Sequence, residues 1–157
     1  MNATYQHAVV LGLGASGVAA ARLLRAEGTA VTVLEREVGP AQAAARREVE
    51  ACGVRVEAGV SSLPDETIDV CVVSPGVPVT SPWQVEARAR GIPVLAELEL
   101  GWSRRGPATK VVAVTGSNGK SNAVKWLAEA LAEAGHAVAL GGNYGPPVCR
   151  VVQEHRA

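Results

Sequence analysis

The sequence predicts an α/β fold built on parallel strands and laid out as two successive units. Three observations predict it. Short apolar runs alternate with stretches of helical periodicity through about residue 100, the pattern of strands joined by crossover helices. The runs are continuously apolar, as strands covered on both faces require. Two glycine-rich stretches, roughly 100 residues apart, each sit between such a run and a helix. The chain has 157 residues, 48% hydrophobic and 19% charged, which supplies a core and excludes wholesale disorder.

Element by element, residues 6–12 read as a buried strand around Ala8-Val9-Val10-Leu11, ended by glycine. Residues 16–27 carry Val18, Ala21 and Leu24 at helical spacing, with Gly28 as the stop. Residues 30–34 are a second strand rich in β-branched residues. A helix over 40–52 starts at Pro40 and ends before Gly53. Residues 54–57 and 68–73 give the third and fourth strands, the latter ending at Ser74-Pro75-Gly76. A helix over 81–90 opens near Pro82, a short fifth strand spans 93–96, and a helical turn follows through 97–102. Ser103-Arg104-Arg105-Gly106-Pro107 interrupts the alternation and marks a boundary. Beyond it, 111–115 is a strand, 119–134 a helix with Val124, Leu127, Ala128 and Leu131 on one face, 137–140 a strand, and 148–154 another helix. The expected division is 1–103 as one domain, 104–107 as linker and 108–157 as an incomplete second domain.

Charge and composition narrow the function. Fifteen basic and fifteen acidic residues give zero net charge, without the basic excess that nucleic-acid backbones demand. Aromatic residues are 3% with no Phe, which disfavours base stacking. No apolar run approaches the roughly 20 residues that span a bilayer, and residues 1–7 lack a basic signal-peptide start. A cytoplasmic protein without nucleic-acid or membrane partners is expected. Cys52, Cys71 and Cys149 are dispersed and read as reduced, inert thiols. His7, His136 and His155 read as packed or solvated, Trp83, Trp102 and Trp126 as helix packing residues, Arg46-Arg47 and Arg104-Arg105 as solvated charge, and Glu97 and Glu99 as flanking a short interdomain helix.

The chemistry lies in the two glycine loops. Gly12-Leu13-Gly14-Ala15-Ser16-Gly17 fits G-x-G-x-x-G between a strand and a helix. Its glycines permit a tight turn and close backbone approach, and the helix start favours phosphate. Glu35 ends the next strand, 18 positions after Gly17, where a ribose contact is expected. NAD, FAD and a UDP-sugar all suit such a loop, and a Rossmann-like domain follows. The second loop, Thr115-Gly116-Ser117-Asn118-Gly119-Lys120-Ser121, is a compact P-loop type. Its amides cradle phosphate oxygens, Lys120 adds charge at the β- and γ-phosphates, and Ser121 offers a hydroxyl to Mg²⁺. A dehydrogenase needs only the first loop, and a simple NTPase only the second.

Together with Ser74-Pro75-Gly76-Val77-Pro78, Glu97-Leu98-Glu99-Leu100 and Gly141-Gly142-Asn143-Tyr144-Gly145-Pro146-Pro147, these loops resemble the Mur ligase family along essentially the whole chain. Most specific is the T-G-x-N-G-K-S loop followed about 20 residues later by G-G-N-x-G. The resemblance implies a first domain that holds the UDP part of UDP-N-acetylmuramoyl-L-alanine, with Gly12, Gly14, Ala15, Ser16 and Gly17 at the diphosphate. Glu35, Arg36 and Gly76 would surround the uridine, and Asn143 would reach in from the second unit. Gly116, Ser117, Asn118, Gly119, Lys120, Ser121 and Asn122 would form the ATP site, with Lys120 catalytic and Ser121 on Mg²⁺.

Two positions depart from the family pattern. Asn122 stands where it has a hydroxyl residue, and Glu35-Arg36 replaces Asp followed by a small hydroxyl residue. The implied activity is ATP-dependent addition of D-glutamate through an acyl phosphate, in cytoplasmic peptidoglycan precursor synthesis. Metal ligands and the D-glutamate site of that family lie in later segments, so the chain reads as an inactive N-terminal fragment. Two alternatives remain: an NAD(P)-type dinucleotide-binding module, which leaves the second loop without a role, and an interaction domain without a ligand.

Overall fold

The computed structural model describes residues 4–155. Five strands form one parallel sheet: β1 (His7–Leu11), β2 (Ala30–Glu35), β3 (Arg55–Ala58), β4 (Val70–Val73) and β5 (Val94–Ala96). Their order is β3-β2-β1-β4-β5. All pairs are parallel; the chain adds β2 and β3 on one side of β1 and then crosses back to add β4 and β5 on the other, so β1 is central and pairs on both sides. Val9, for example, stands opposite Thr32 of β2 and Cys71 of β4. Every residue of β1 is buried, which is why its sequence is apolar without alternation.

Alternate β1 side chains enter two cores. Ala8 and Val10 join Leu23, Leu24, Val33, Val49, Leu100 and Cys149 on one face. Val9 and Leu11 join Leu34, Ile68, Cys71, Trp83 and Ala87 on the other. The first face is covered by α1 (Ala15–Ala26), α2 (Pro40–Ala51), α4 (Glu97–Ser103) and α6 (Val148–Glu154). The second is covered by α3 (Pro82–Ala89). Pro82 opens α3 as the sequence expects, and the Ser81 hydroxyl caps it by accepting from the Gln84 amide at 3.4 Å.

Through residue 103 the observed elements fall within a residue or two of the expected ones. Beyond it the structure departs. Residues 111–115 and 137–140 form no strand among the described residues. A strand is stabilised by ladder bonds to a neighbour, and neither segment has one here. The helix between them does form, as α5 (Lys120–Glu133), but it buries no residue. Trp126, expected to pack, is 66% exposed. Trp102 is also exposed, beneath the Arg105 guanidinium at 3.9 Å from the ring centroid. Trp83 does pack, and its indole N–H donates to the Val60 carbonyl at 3.1 Å.

The linker residue Arg104 also differs from expectation. Its side chain is 3% exposed and pairs with Glu27 at 3.1 Å, close to the Tyr5 ring. Arg104 is thus a buried tie to the end of α1, not a solvated charge. Helix α6, assigned by sequence to the second unit, packs on α1 and α4 of the first.

Candidate functional site

The first cradle is built where β1 leaves the sheet. The Gly12 amide donates to the Leu34 carbonyl at 2.8 Å, and its φ of 95° turns the chain away from the strand direction. Leu13 dives into the core. Gly14 then takes the N-cap position of α1 with no side-chain cap, so amides of the first helical turn lack an internal partner. Open space surrounds Gly14, whereas Gly17 is wedged: a Cβ there would lie 1.9 Å from the Gly12 carbonyl oxygen. The third glycine therefore exists to let α1 start directly against the end of β1.

Two neighbouring segments complete this edge. Glu35, at the end of β2, accepts from the Leu13 amide through Oε2 at 2.7 Å and from the Arg36 amide through Oε1 at 2.7 Å. Its carboxylate thus binds the glycine loop to the second strand, and each oxygen keeps a further acceptor lone pair. On the other side, Ser74 follows β4. Its amide donates to the Leu11 carbonyl at 3.0 Å and its hydroxyl to the Gly12 carbonyl at 3.4 Å. Gly76 stands exposed just beyond. Gly12, Gly14, Ala15, Ser16, Gly17, Glu35, Arg36 and Gly76 all lie at the carboxyl edge of the sheet, around its switch point between β1 and β4. Open parallel sheets bind ligands in that crevice.

The second loop precedes α5. Gly119 is its N-cap in a left-handed conformation with φ 76°, and no side chain caps the helix. Gly116 also has positive φ, 144°. The Lys120 ammonium folds back to donate to the carbonyls of Gly116 and of Ser117, the latter at 3.2 Å. Ser117, Asn118, Ser121 and Asn122 are exposed around it. Among the described residues no cluster of three or more His, Cys, Asp or Glu could hold a metal ion.

Asn143 lies in a third loop, exposed, between Leu140 and α6. This loop is closed by the Gly142 amide donating to the Pro146 carbonyl at 3.0 Å. No described contact brings Asn143 to the first cradle.

The family model "Mur ligase MurD-like, N-terminal domain" matches residues 6–96. The chain belongs to this family. Two relatives extend the likeness through both glycine loops. A UDP-N-acetylmuramoylalanine–D-glutamate ligase of Nitratidesulfovibrio vulgaris is 41% identical over 148 residues, which is 94% of this chain and 34% of that protein. One of Frankia casuarinae is 38% identical over 144 residues, 92% of this chain and 30% of its own length. The chain thus spans about a third of the length of these relatives. Among solved structures, the UDP-N-acetylmuramate:L-alanyl-gamma-D-glutamyl-meso-diaminopimelate ligase of Neisseria meningitides matches with a TM-score of 0.54 at 20% identity, over 90% of this chain and 45% of that one. The α/β fold with a parallel sheet is thereby shared with a Mur ligase.

Within this MurD-like chain, sequence reasoning missed the roles of two buried polar residues. Ser74 was visible only as part of a motif, although its hydroxyl pins the first cradle. Glu97 read as a flanking acid, yet it is 4% exposed and accepts from the Cys149 amide at 2.6 Å. No local sequence signal points to that contact, which crosses 52 positions.

Proposed function

We propose that this MurD-like chain supplies the UDP-substrate domain and the ATP loop of a ligase of peptidoglycan precursor synthesis, which adds D-glutamate to UDP-N-acetylmuramoyl-L-alanine at the expense of ATP. In this reading residues 1–103 hold the substrate, 104–107 link, and 108–157 begin the ATP-binding domain. The observation that carries it is the amide cradle at the β1–β4 switch point, on one chain with the loop from Thr115 to Ser121. The first has amides without internal partners where a diphosphate would lie, next to Gly14, Ala15 and Ser16. The second offers Gly119 and the following amides, with Lys120 close by.

The residues fit ATP and Mg²⁺ in kind. Gly116 and Gly119 both hold positive φ, so the loop backbone turns with no Cβ in the way of a phosphate. Lys120 would exchange its carbonyl partners for phosphate oxygens, and its charge would offset the repulsion between a carboxylate and the γ-phosphate. Ser121 would supply one oxygen to Mg²⁺, an ion that in such sites relies largely on phosphates and water. Bound there, the metal would neutralise charge on the transferring group. Glu35 fixes Leu13 and leaves uridine recognition to its outer lone pairs, to Arg36 and to Gly76. Asn143 would approach the sugar diphosphate from the other side. The setting is the cytoplasm, where UDP-linked precursors are made. No described helix is long and apolar enough to cross a membrane.

Thermal-shift titration tests the reading. UDP-N-acetylmuramoyl-L-alanine and UDP should raise the melting temperature, and NAD should not. Stabilisation by NAD without any by UDP compounds would replace this reading with a dinucleotide-binding module.

A further inference from the structure

Helix α6 is locked to the first domain by an arrangement that no nucleotide contact explains. Glu97, the first residue of α4, turns its carboxylate inward and accepts from the Cys149 amide in the first turn of α6 at 2.6 Å. The Cys149 thiol lies fully buried and donates to the Glu97 carbonyl at 3.3 Å. One turn further along α4, Gly101 meets α6 so closely that a Cβ would lie 2.7 Å from Val148 Cγ1 and 2.8 Å from the Cys149 nitrogen. A buried carboxylate at a helix start is doubly favoured, by a charge-assisted hydrogen bond and by the helix dipole.

The loop that carries Asn143 is clipped to this same helix. Its ends are joined by the Gly142–Pro146 bond at 3.0 Å. Gly141 rests on α6, where a Cβ would lie 3.1 Å from Val151 Cγ2. A continuous path of contacts therefore runs from β5 through α4 and Glu97 to α6 and on to the loop.

We infer that Glu97 is a positioning residue: by holding the amino end of α6 against α4, it sets the Asn143 loop at a fixed distance from the first nucleotide cradle. The consequence for ligand rests on the reading that Asn143 meets the UDP-linked substrate. The lock itself does not rest on it.

Amide hydrogen exchange and UDP-N-acetylmuramoyl-L-alanine titration of the 157-residue chain test this together. Glu97→Gln keeps an acceptor oxygen and should retain both slow exchange in α6 and affinity within about twofold. Glu97→Leu removes the acceptor. It should speed exchange at Cys149–Val151 while β1 and β2 stay protected, and weaken binding about tenfold. Gly101→Ala, which alters no polar group, should do the same by forcing the helices apart. Asn143→Ala should weaken binding to a similar degree with exchange in α6 unchanged, and adding Glu97→Leu to it should cause little further loss. Unchanged exchange in α6 for Glu97→Leu or Gly101→Ala overturns the lock. Exchange that rises equally in α6 and the sheet also overturns it, because Glu97 would then serve general stability. If the lock behaves as stated and the unaltered chain binds no UDP compound, the substrate reading fails and the positioning role of Glu97 stands.

Discussion

Single residues show how tightly this chain is specified. Gly17→Ala would drive a methyl group into the Gly12 carbonyl, so the glycine loop or α1 must move. The expected cost is about 1–3 kcal/mol, read as a lowered denaturant midpoint. Asp69 gives a different test. Backbone amides of His7 and Gln6 hold its carboxyl below the usual carboxylate range. A depressed native pKa contributes stability above the unfolded value and loses it as pH falls through the native one. Asp69→Asn should therefore flatten the decline in stability on acidification below about pH 4, measured by urea unfolding across that range. The cysteines differ by burial. It pushes the Cys71 thiol up to about 11, and with the nearby Glu97 carboxylate pushes Cys149 higher still. Cys52 is exposed. Alkylation of the native protein at neutral pH should label Cys52 quickly and the other two only on unfolding.

At the scale of elements, what could be read from sequence depended on how local the cause was. Strand β1, its glycine turn and α1 follow from neighbouring residues, and they fall where the pattern puts them. Arg104 could not be read so. It precedes Gly106-Pro107, which marks a linker, while its partner Glu27 is 77 positions away. Removing that guanidinium breaks a largely buried ion pair with Glu27, so Arg104→Ala should lower stability by about 1–3 kcal/mol. Arg104→Met, which keeps the aliphatic packing, should cost less, and thermal unfolding of both variants checks the order. Segments 111–115 and 137–140 show the same limit from the other side. Their β-branched residues fit a strand, but strand formation is settled by a neighbour. Glu35 was legible as an acid at the end of a strand. Its hold on the Leu13 amide was not, because that contact crosses 22 positions.

The whole molecule divides into a part with two cores and a part with little burial. Sheet and covering helices share 0% exposed residues such as Val10, Leu24 and Cys149, whereas α5 buries nothing. Local opening free energy tracks buried apolar contact. Amides of α5 should therefore exchange much faster than those of β1, even though α5 is the longest helix described. Phosphate binding at Gly119 and Lys120 would slow that exchange in α5, and Lys120→Ala would abolish the slowing by ATP. Under the proposed function, the rigid sheet would hold one nucleotide on a fixed platform, and the less buried loop would hold the other on a segment still able to adjust.

The central place of β1 has a consequence for how the protein comes into being. Strand β1 needs partners on both flanks, and β4 is made some sixty residues after it. Until then Ala8–Leu11 must wait with one edge open, a template for any passing strand. Cellular handling of the nascent chain, more than the strength of the finished sheet, should govern how much of this protein reaches its native state.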